Sequence, residues 1–170
     1  MIFKNMKEIT IKEYKDNLFS VMKDEAALLT AGKIDKFNTM TIGWLTAGVI
    51  WGKEVVTCYV RPSRYTYQFM EENDLFTVSF YHSDYRRALS YLGSNSGRDE
   101  DKVQKIGFNP LSLDDTVSFK EARMVIICKK IYNQAMDETK MQSFGIEKYY
   151  ARGDYHHFYI GEILKIYIEE

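Results

Sequence analysis

The chain has 170 residues, 45% hydrophobic and 28% charged, which suits one domain, residues 1–170, with a real core and a polar surface. Lysine and arginine total 23 against 24 acidic residues, and the resulting net charge of −1 argues against a protein built to grip nucleic acid or an anionic membrane. Aromatic residues reach 15%, with 13 Tyr, 10 Phe and only 2 Pro, a composition that disfavours disorder.

No stretch approaches the roughly 18 uninterrupted apolar residues needed to span a bilayer, and the opening Met1-Ile2-Phe3-Lys4-Asn5 carries charge early, unlike a signal peptide. Cys58 and Cys128 are far apart and neither belongs to a Cys-x-x-Cys pair, so buried, reduced thiols are expected. Together these features point to a soluble, cytoplasmic domain.

In chain order, Thr10-Ile11-Lys12-Glu13 has the form of a helix capping box and predicts a helix to about Met22. Ala26–Thr30 and Phe37–Trp51 are apolar and β-branched, broken by Gly32, Gly43, Gly48 and Gly52, and read as strands with turns or close approaches between them. Glu54–Val60 is a strand that Arg61-Pro62 ends, with Ser63 as the expected N-cap of a helix to about Asn73. Leu75–Tyr81 returns to strand, Tyr85–Leu92 to helix, and Gly93-Ser94-Asn95-Ser96-Gly97 has loop chemistry. A short helix over Lys102–Ile106 should end at Gly107. Val117–Phe119 and Met124–Tyr132 are strand candidates, and Glu138–Tyr150 is partly helical. In the last run Phe158, Ile160, Leu164, Ile166 and Ile168 share even positions, the period of a half-buried strand. Many strands with a few inserted helices predict a mainly β (α+β) barrel or sandwich-like domain, with Phe76, Phe80 and Phe158 among its core aromatics.

Three segments carry candidate chemistry. Arg61-Pro62-Ser63-Arg64-Tyr65-Thr66 delivers a strand to a helix start, where free amides, two hydroxyls and two guanidiniums suit a phosphate; a capped surface helix with solvated arginines has the same local sequence. Asn38-Thr39-Met40-Thr41 alternates polar groups along an apolar strand, as a heteroaromatic ligand requires and as an ordinary half-wet strand also does. Ser94–Lys102 offers small residues and a lysine to an anion, opposed by Asp99, Glu100 and Asp101 unless these face away. His82 has no evident partner, and adjacent His156 and His157 face opposite sides of a strand, which excludes joint metal ligation. Glu71-Glu72 and Asp114-Asp115 read as solvated surface, and no acid–base pair or activated nucleophile stands out.

Taken in order, Asn38-Thr39-Met40-Thr41-Ile42-Gly43-Trp44, Ile50-Trp51-Gly52-Lys53, Val60–Thr66, Leu92-Gly93-Ser94 with Ser96-Gly97-Arg98-Asp99 and Asp101-Lys102, and Asp154-Tyr155-His156 with Ile160-Gly161-Glu162 resemble the flavin reductase-like FMN-binding domain family, on its flavoredoxin-type branch. The resemblance implies an FMN-binding split β-barrel with peripheral helices, a homodimer, and no catalytic side chain. It places phosphate contacts on Ser63, Arg64 and Thr66, with Arg61 and Lys102 beside them. It sets Tyr65, Ser96 and Gly97 at the same site, Asn38, Thr39, Met40 and Thr41 along the flavin, and His156 at the flavin edge or nicotinamide side. Tyr155, which separates Asp154 from His156, departs from the Asp-His pair of many relatives. The implied activity is NAD(P)H-dependent flavin reduction or electron transfer to a small-molecule or protein acceptor. A carrier reduced by a protein partner and a non-catalytic ligand-binding module are the alternatives.

Overall fold

The computed structural model describes residues 6–142 and 145–170; the charged opening residues 1–5, and positions 143 and 144 of the ambiguous Glu138–Tyr150 segment, lie outside them. Along the described residues run β1 (Met6–Ile9), α1 (Leu18–Asp24), β2 (Ala27–Lys33), β3 (Lys36–Ile42), β4 (Leu45–Ile50), β5 (Lys53–Val60), α2 (Thr66–Glu72), β6 (Leu75–Phe80), α3 (Arg86–Ser94), α4 (Lys102–Ile106), β7 (Pro110–Leu113), β8 (Thr116–Phe119), β9 (Met124–Ala135) and β10 (His157–Glu169). None of the helices is long and apolar enough to cross a membrane.

Eight strands form one antiparallel sheet in the order β3-β2-β6-β9-β10-β5-β4, with β1 paired to the far end of β10, while β7 and β8 make a separate hairpin. The central strands explain the uninterrupted apolar runs, because they are covered on both faces. On one side Val56, Cys58, Val60, Phe76, Val78, Phe80, Cys128 and Tyr159 pack together with Phe69 and Met70 of α2. On the other, Leu28, Val125 and Ile127 pack under Leu89 and Leu92 of α3, Phe108 and Phe119. Four hydroxyls buried in this second layer pair with one another, Thr30 with Thr39 at 2.9 Å and Ser79 with Ser118 at 2.8 Å, which offsets the cost of burying them.

Two glycines are dictated by crowding. Gly32, at φ 114°, would bring a Cβ to 2.3 Å from Lys36 O across the tight β2–β3 hairpin. Gly161 would place one 2.4 Å from Phe76 Cζ and 2.7 Å from Cys128 Cβ, so its absent side chain is the space the Phe76 ring fills.

Several expectations are corrected. The Thr10–Glu13 box forms, with Thr10 N and Oγ1 donating to Glu13 at 2.7 and 2.8 Å, but it closes a turn. The helix starts only at Leu18, capped by Asn17. Strands β1 and β7 were not anticipated, being four residues each and carrying little periodicity. Gly93 and Ser94 complete α3 instead of opening a loop. The even-position pattern of β10 fails because bulges after Ile160 and Ile163 switch the face that points inward. Tyr159 and Gly161 are buried, then Ile166, while Leu164 is exposed. Phe158 is only half-buried, against Tyr132. His82 has a partner that sequence distance hid, Glu169 at 2.6 Å. Nor are all the paired carboxylates free surface: Glu71 accepts from Tyr159 Oη at 2.6 Å and Asp114 pairs with Lys165 at 2.7 Å.

Candidate functional site

Strand β5 ends at Val60, and residues 61–65 form a turn before α2 begins at Thr66. The expected role of Ser63 as N-cap is not met. Arg64 N bonds Arg61 O and Tyr67 N bonds Arg64 O, so reverse turns occupy the chain and delay the helix. Tyr65 stands at the cap position without a side-chain bond. Ser63 turns the other way, its amide and hydroxyl both donating to the Asp154 carboxylate at 3.2 and 2.5 Å.

Against this turn lies a second wall, made by the end of α3, the 95–98 loop and the first residue of α4. A small polar cavity of about 140 Å³ opens between the walls. Of the residues anticipated from the sequence, Asn38, Met40, Ser63, Arg64, Tyr65, Thr66, Ser96, Gly97 and Lys102 line it. Asn38 Nδ2 donates to Thr66 Oγ1 at 2.8 Å and ties the floor of β3 to α2. A Cβ on Gly97 would lie 2.3 Å from Asn38 Oδ1 and 3.1 Å from Tyr65 Cδ1, so only glycine lets the loop descend this far.

The electrostatics of the cavity are lopsided. Arg64 donates to Gly93 O at 2.5 Å, Arg98 to Ser63 O at 3.0 Å, and Lys102 to Leu92 O and Asn95 O at 2.7 and 2.9 Å. Just behind the turn, Arg61 donates to Asp154 O and Tyr149 O at 3.0 and 2.7 Å. Each of these four cations is held by backbone carbonyls, and none belongs to an ion pair among the described residues. Lys102, 3% exposed, is pulled down to about 8 by burial and then by the Arg64 charge. Two of the three acidic residues that opposed an anion site are used elsewhere: Asp101 caps α4 through Gln104 N, and Glu100 holds Lys105 and Tyr91. Concentrated positive charge without carboxylate partners is the setting that an oxyanion completes.

Four anticipated residues lie outside this cavity. Thr39 faces the opposite side of β3 and bonds Thr30 and Leu29 O. Thr41 Oγ1 donates to Leu89 O at 2.5 Å and borders a larger cleft, about 720 Å³, between α1 and α3. Arg61 is turned toward residues 149 and 154, 5.1 Å from the centre of the Tyr150 ring. His156 packs against Trp44, ring centres 4.6 Å apart and planes tilted by 39°, with Nδ1 2.8 Å from Tyr150 Oη. Burial, and then Arg61, pull His156 down to about 4. His157 points the other way to Tyr67, as adjacent strand residues must. Arg98 and Asn95 line the cavity without having been singled out as contacts; the Ser96-Gly97-Arg98-Asp99 block was the available signal.

Beyond the cavity, β3 is an edge strand that among the described residues pairs only with β2. The chain then turns through Gly43 and Trp44 into an apolar cleft of about 600 Å³, with Leu45, Ala47, Tyr59, Phe19 and Met136 on its walls. Among the described residues no group of three or more His, Cys, Asp or Glu is placed to hold a metal ion. Cys58 and Cys128 are fully buried, and burial pushes both thiols far above their usual range.

The model of the flavin reductase like domain matches residues 19–170. No curated protein matches the chain. Among solved structures, flavoredoxin from Methanosarcina acetivorans is 26% identical with a TM-score of 0.67, covering 86% of this chain and 69% of its own. Flavoredoxin of Desulfovibrio vulgaris (Miyazaki F) is 23% identical, also at 0.67, covering 86% and 70%. An FMN-binding domain of flavin reductases-like enzyme from Shewanella baltica OS155 superposes at 0.71 over 99% of this chain and 80% of that one, with 14% identity.

Proposed function

This chain belongs to the flavin reductase-like domain family, and from that premise we propose that it binds FMN non-covalently and acts as an oxidoreductase using NAD(P)H. The observation that carries the reading is the cavity whose cations have carbonyl partners but no carboxylates. A phosphate monoester supplies the missing charge. Arg64 offers a forked donor, Thr66 and Ser96 offer hydroxyls, Lys102 has one N–H left after its two carbonyls, and Gly97 lets backbone approach closely.

The donor set fits the phosphate end of the cofactor, and the adjoining chain fits its planar end. Edge strand β3 leaves backbone groups for the polar rim of a ring, and the Gly43–Ala47 cleft beside Trp44 offers apolar surface. His156, pulled down to about 4, adds no charge beside Trp44 at pH 7 and can only orient by ring packing and hydrogen bonding. FMN held there would supply the redox chemistry, hydride uptake from a reduced nicotinamide and electron delivery to a small-molecule or protein acceptor. The protein binds, orients and excludes water, which accounts for the lack of an evident acid–base pair. A cytoplasmic location and a homodimer belong to the same reading, the dimer supported by exposed Val49 on edge strand β4 and exposed Trp51 in the turn that follows it.

Fluorescence titration with FMN and riboflavin, followed by stopped-flow mixing of the FMN-loaded protein with NADH and NADPH, tests it. Quenching that favours FMN, with bleaching of the flavin by either nucleotide at a useful rate, is expected. Reduction by neither nucleotide overturns the reductase in favour of a carrier fed by a protein; absence of FMN binding overturns the flavin reading altogether.

A further inference from the structure

Ser63 borders the phosphate-sized cavity, yet its two donors are already spent on an anion from the protein itself. Its amide and hydroxyl hold the Asp154 carboxylate at 3.2 and 2.5 Å, a pairing that closes a loop of the chain across 91 residues. Asp154 also anchors Arg61 through its backbone carbonyl, and Arg61 reaches Tyr149 O as well. Asp154 adopts this geometry at φ 56°, a left-handed conformation that few side chains tolerate. The 147–156 segment is thereby clasped to the β5–α2 turn, with Tyr150 and His156 seated at Trp44. The charged groups facing Asp154 are Arg61 behind the turn and, through Ser63 O, Arg98 in front; the Asp154 carboxylate itself takes neither as an ion-pair partner among the described residues.

We propose that Asp154 is an internal anion competing with the cofactor phosphate for the Ser63 donors, so that phosphate binding opens the clasp and frees the 147–156 segment over Trp44. The inference rests on the FMN reading above and adds a regulation of that site. An amide N–H and a hydroxyl side by side recognise carboxylate and phosphate oxygens alike, and one pair of donors cannot hold both. The phosphate therefore enters against a pre-existing contact, and the energy of its binding is coupled to the position of the segment that carries Tyr150 and His156.

Two variants suit the backbone. Asp154→Asn keeps an acceptor and tolerates φ 56° but removes the charge; Asp154→Gly removes the side chain without strain. FMN and riboflavin affinities of both and of the wild type are compared, with thermal melts establishing that all are folded. The expected result is FMN binding tightened about tenfold, the scale of one charge-assisted hydrogen bond, with riboflavin binding unchanged. Unchanged or weaker FMN binding overturns the competition and makes Asp154 a residue that positions Ser63. Equal tightening of FMN and riboflavin also overturns it, because the effect then lies outside the phosphate. Both failures leave the flavin reading standing; only if the wild type and both variants bind no FMN do the two fall together. Hydrogen exchange gives an independent readout: FMN should speed exchange over 149–155 in the wild type while slowing it over 63–66. Slower exchange over 149–155 overturns the release.

Discussion

The side-chain amide of Asn38 reaches Thr66 Oγ1 at 2.8 Å, and Gly97 sits so close behind that any Cβ would fall 2.3 Å from Asn38 Oδ1. Strand, helix and loop therefore meet at one buried amide, and the cavity beside it keeps its shape only while that amide stays in place.

Gly97→Ala should push Asn38 off Thr66 and lower FMN affinity by about tenfold, since a contact this short forces backbone or buried amide to move. Titration alongside a thermal melt checks it; unchanged affinity would show that the loop relaxes freely.

Arg64→Ala should weaken FMN binding by about 1.5–3 kcal/mol, the range for a hydrogen bond to a charged group. Riboflavin binding should change far less. Because Arg64 also holds Gly93 O, the stability of the variant has to be measured beside its affinity.

Lys102 gives the site a pH dependence. Its ammonium, pulled down to about 8 in the protein, loses its proton as pH rises through that value, and a phosphate loses a cationic partner. FMN affinity should therefore fall between pH 7 and 9, and Lys102→Met should be weaker at pH 7 but flat over that range. An equally steep profile in the variant would assign the titration to another group.

His156 makes the opposite linkage with folding. Its value falls from 6.5 in the unfolded chain to about 4 in the fold, so between these values the unfolded state binds more protons and stability drops as pH falls. Denaturant melts from pH 7 to 4 should show this loss, and His156→Phe should reduce its slope.

Gly161→Ala should cost about 1–3 kcal/mol through overpacking against Phe76 and Cys128. Chemical denaturation measures it, and pairing the change with Phe76→Leu should recover part of the loss. Gly161 lies in one of the blocks by which the family is recognised, and its role here is packing.

Much of the architecture was written locally. The apolar run of β9, the break at Pro62, and the α4 helix closed by left-handed Gly107 follow from propensity and periodicity, which act over a few residues. The clustering of cations was half visible: Arg61 and Arg64 are neighbours in sequence, whereas Arg98 reaches Ser63 across 35 residues. Ser63 looked like a cap because serine before a helix is a local signal, and it was diverted by Asp154, 91 residues away.

By itself, then, the sequence determined the β-rich class, the places where strands and helices begin and break, and the segments that carry polar groups for an anion. Only the tertiary structure decided which of those groups converge. Strand pairing turned Thr39 and Thr41 away from the cavity that Asn38 and Met40 line, two bulges moved β10 off its even-numbered pattern, and backbone carbonyls took the place of carboxylates around Arg64, Arg98 and Lys102. Periodicity is set between near neighbours, but charge balance and donor geometry depend on residues the sheet brings together from distant parts of the chain.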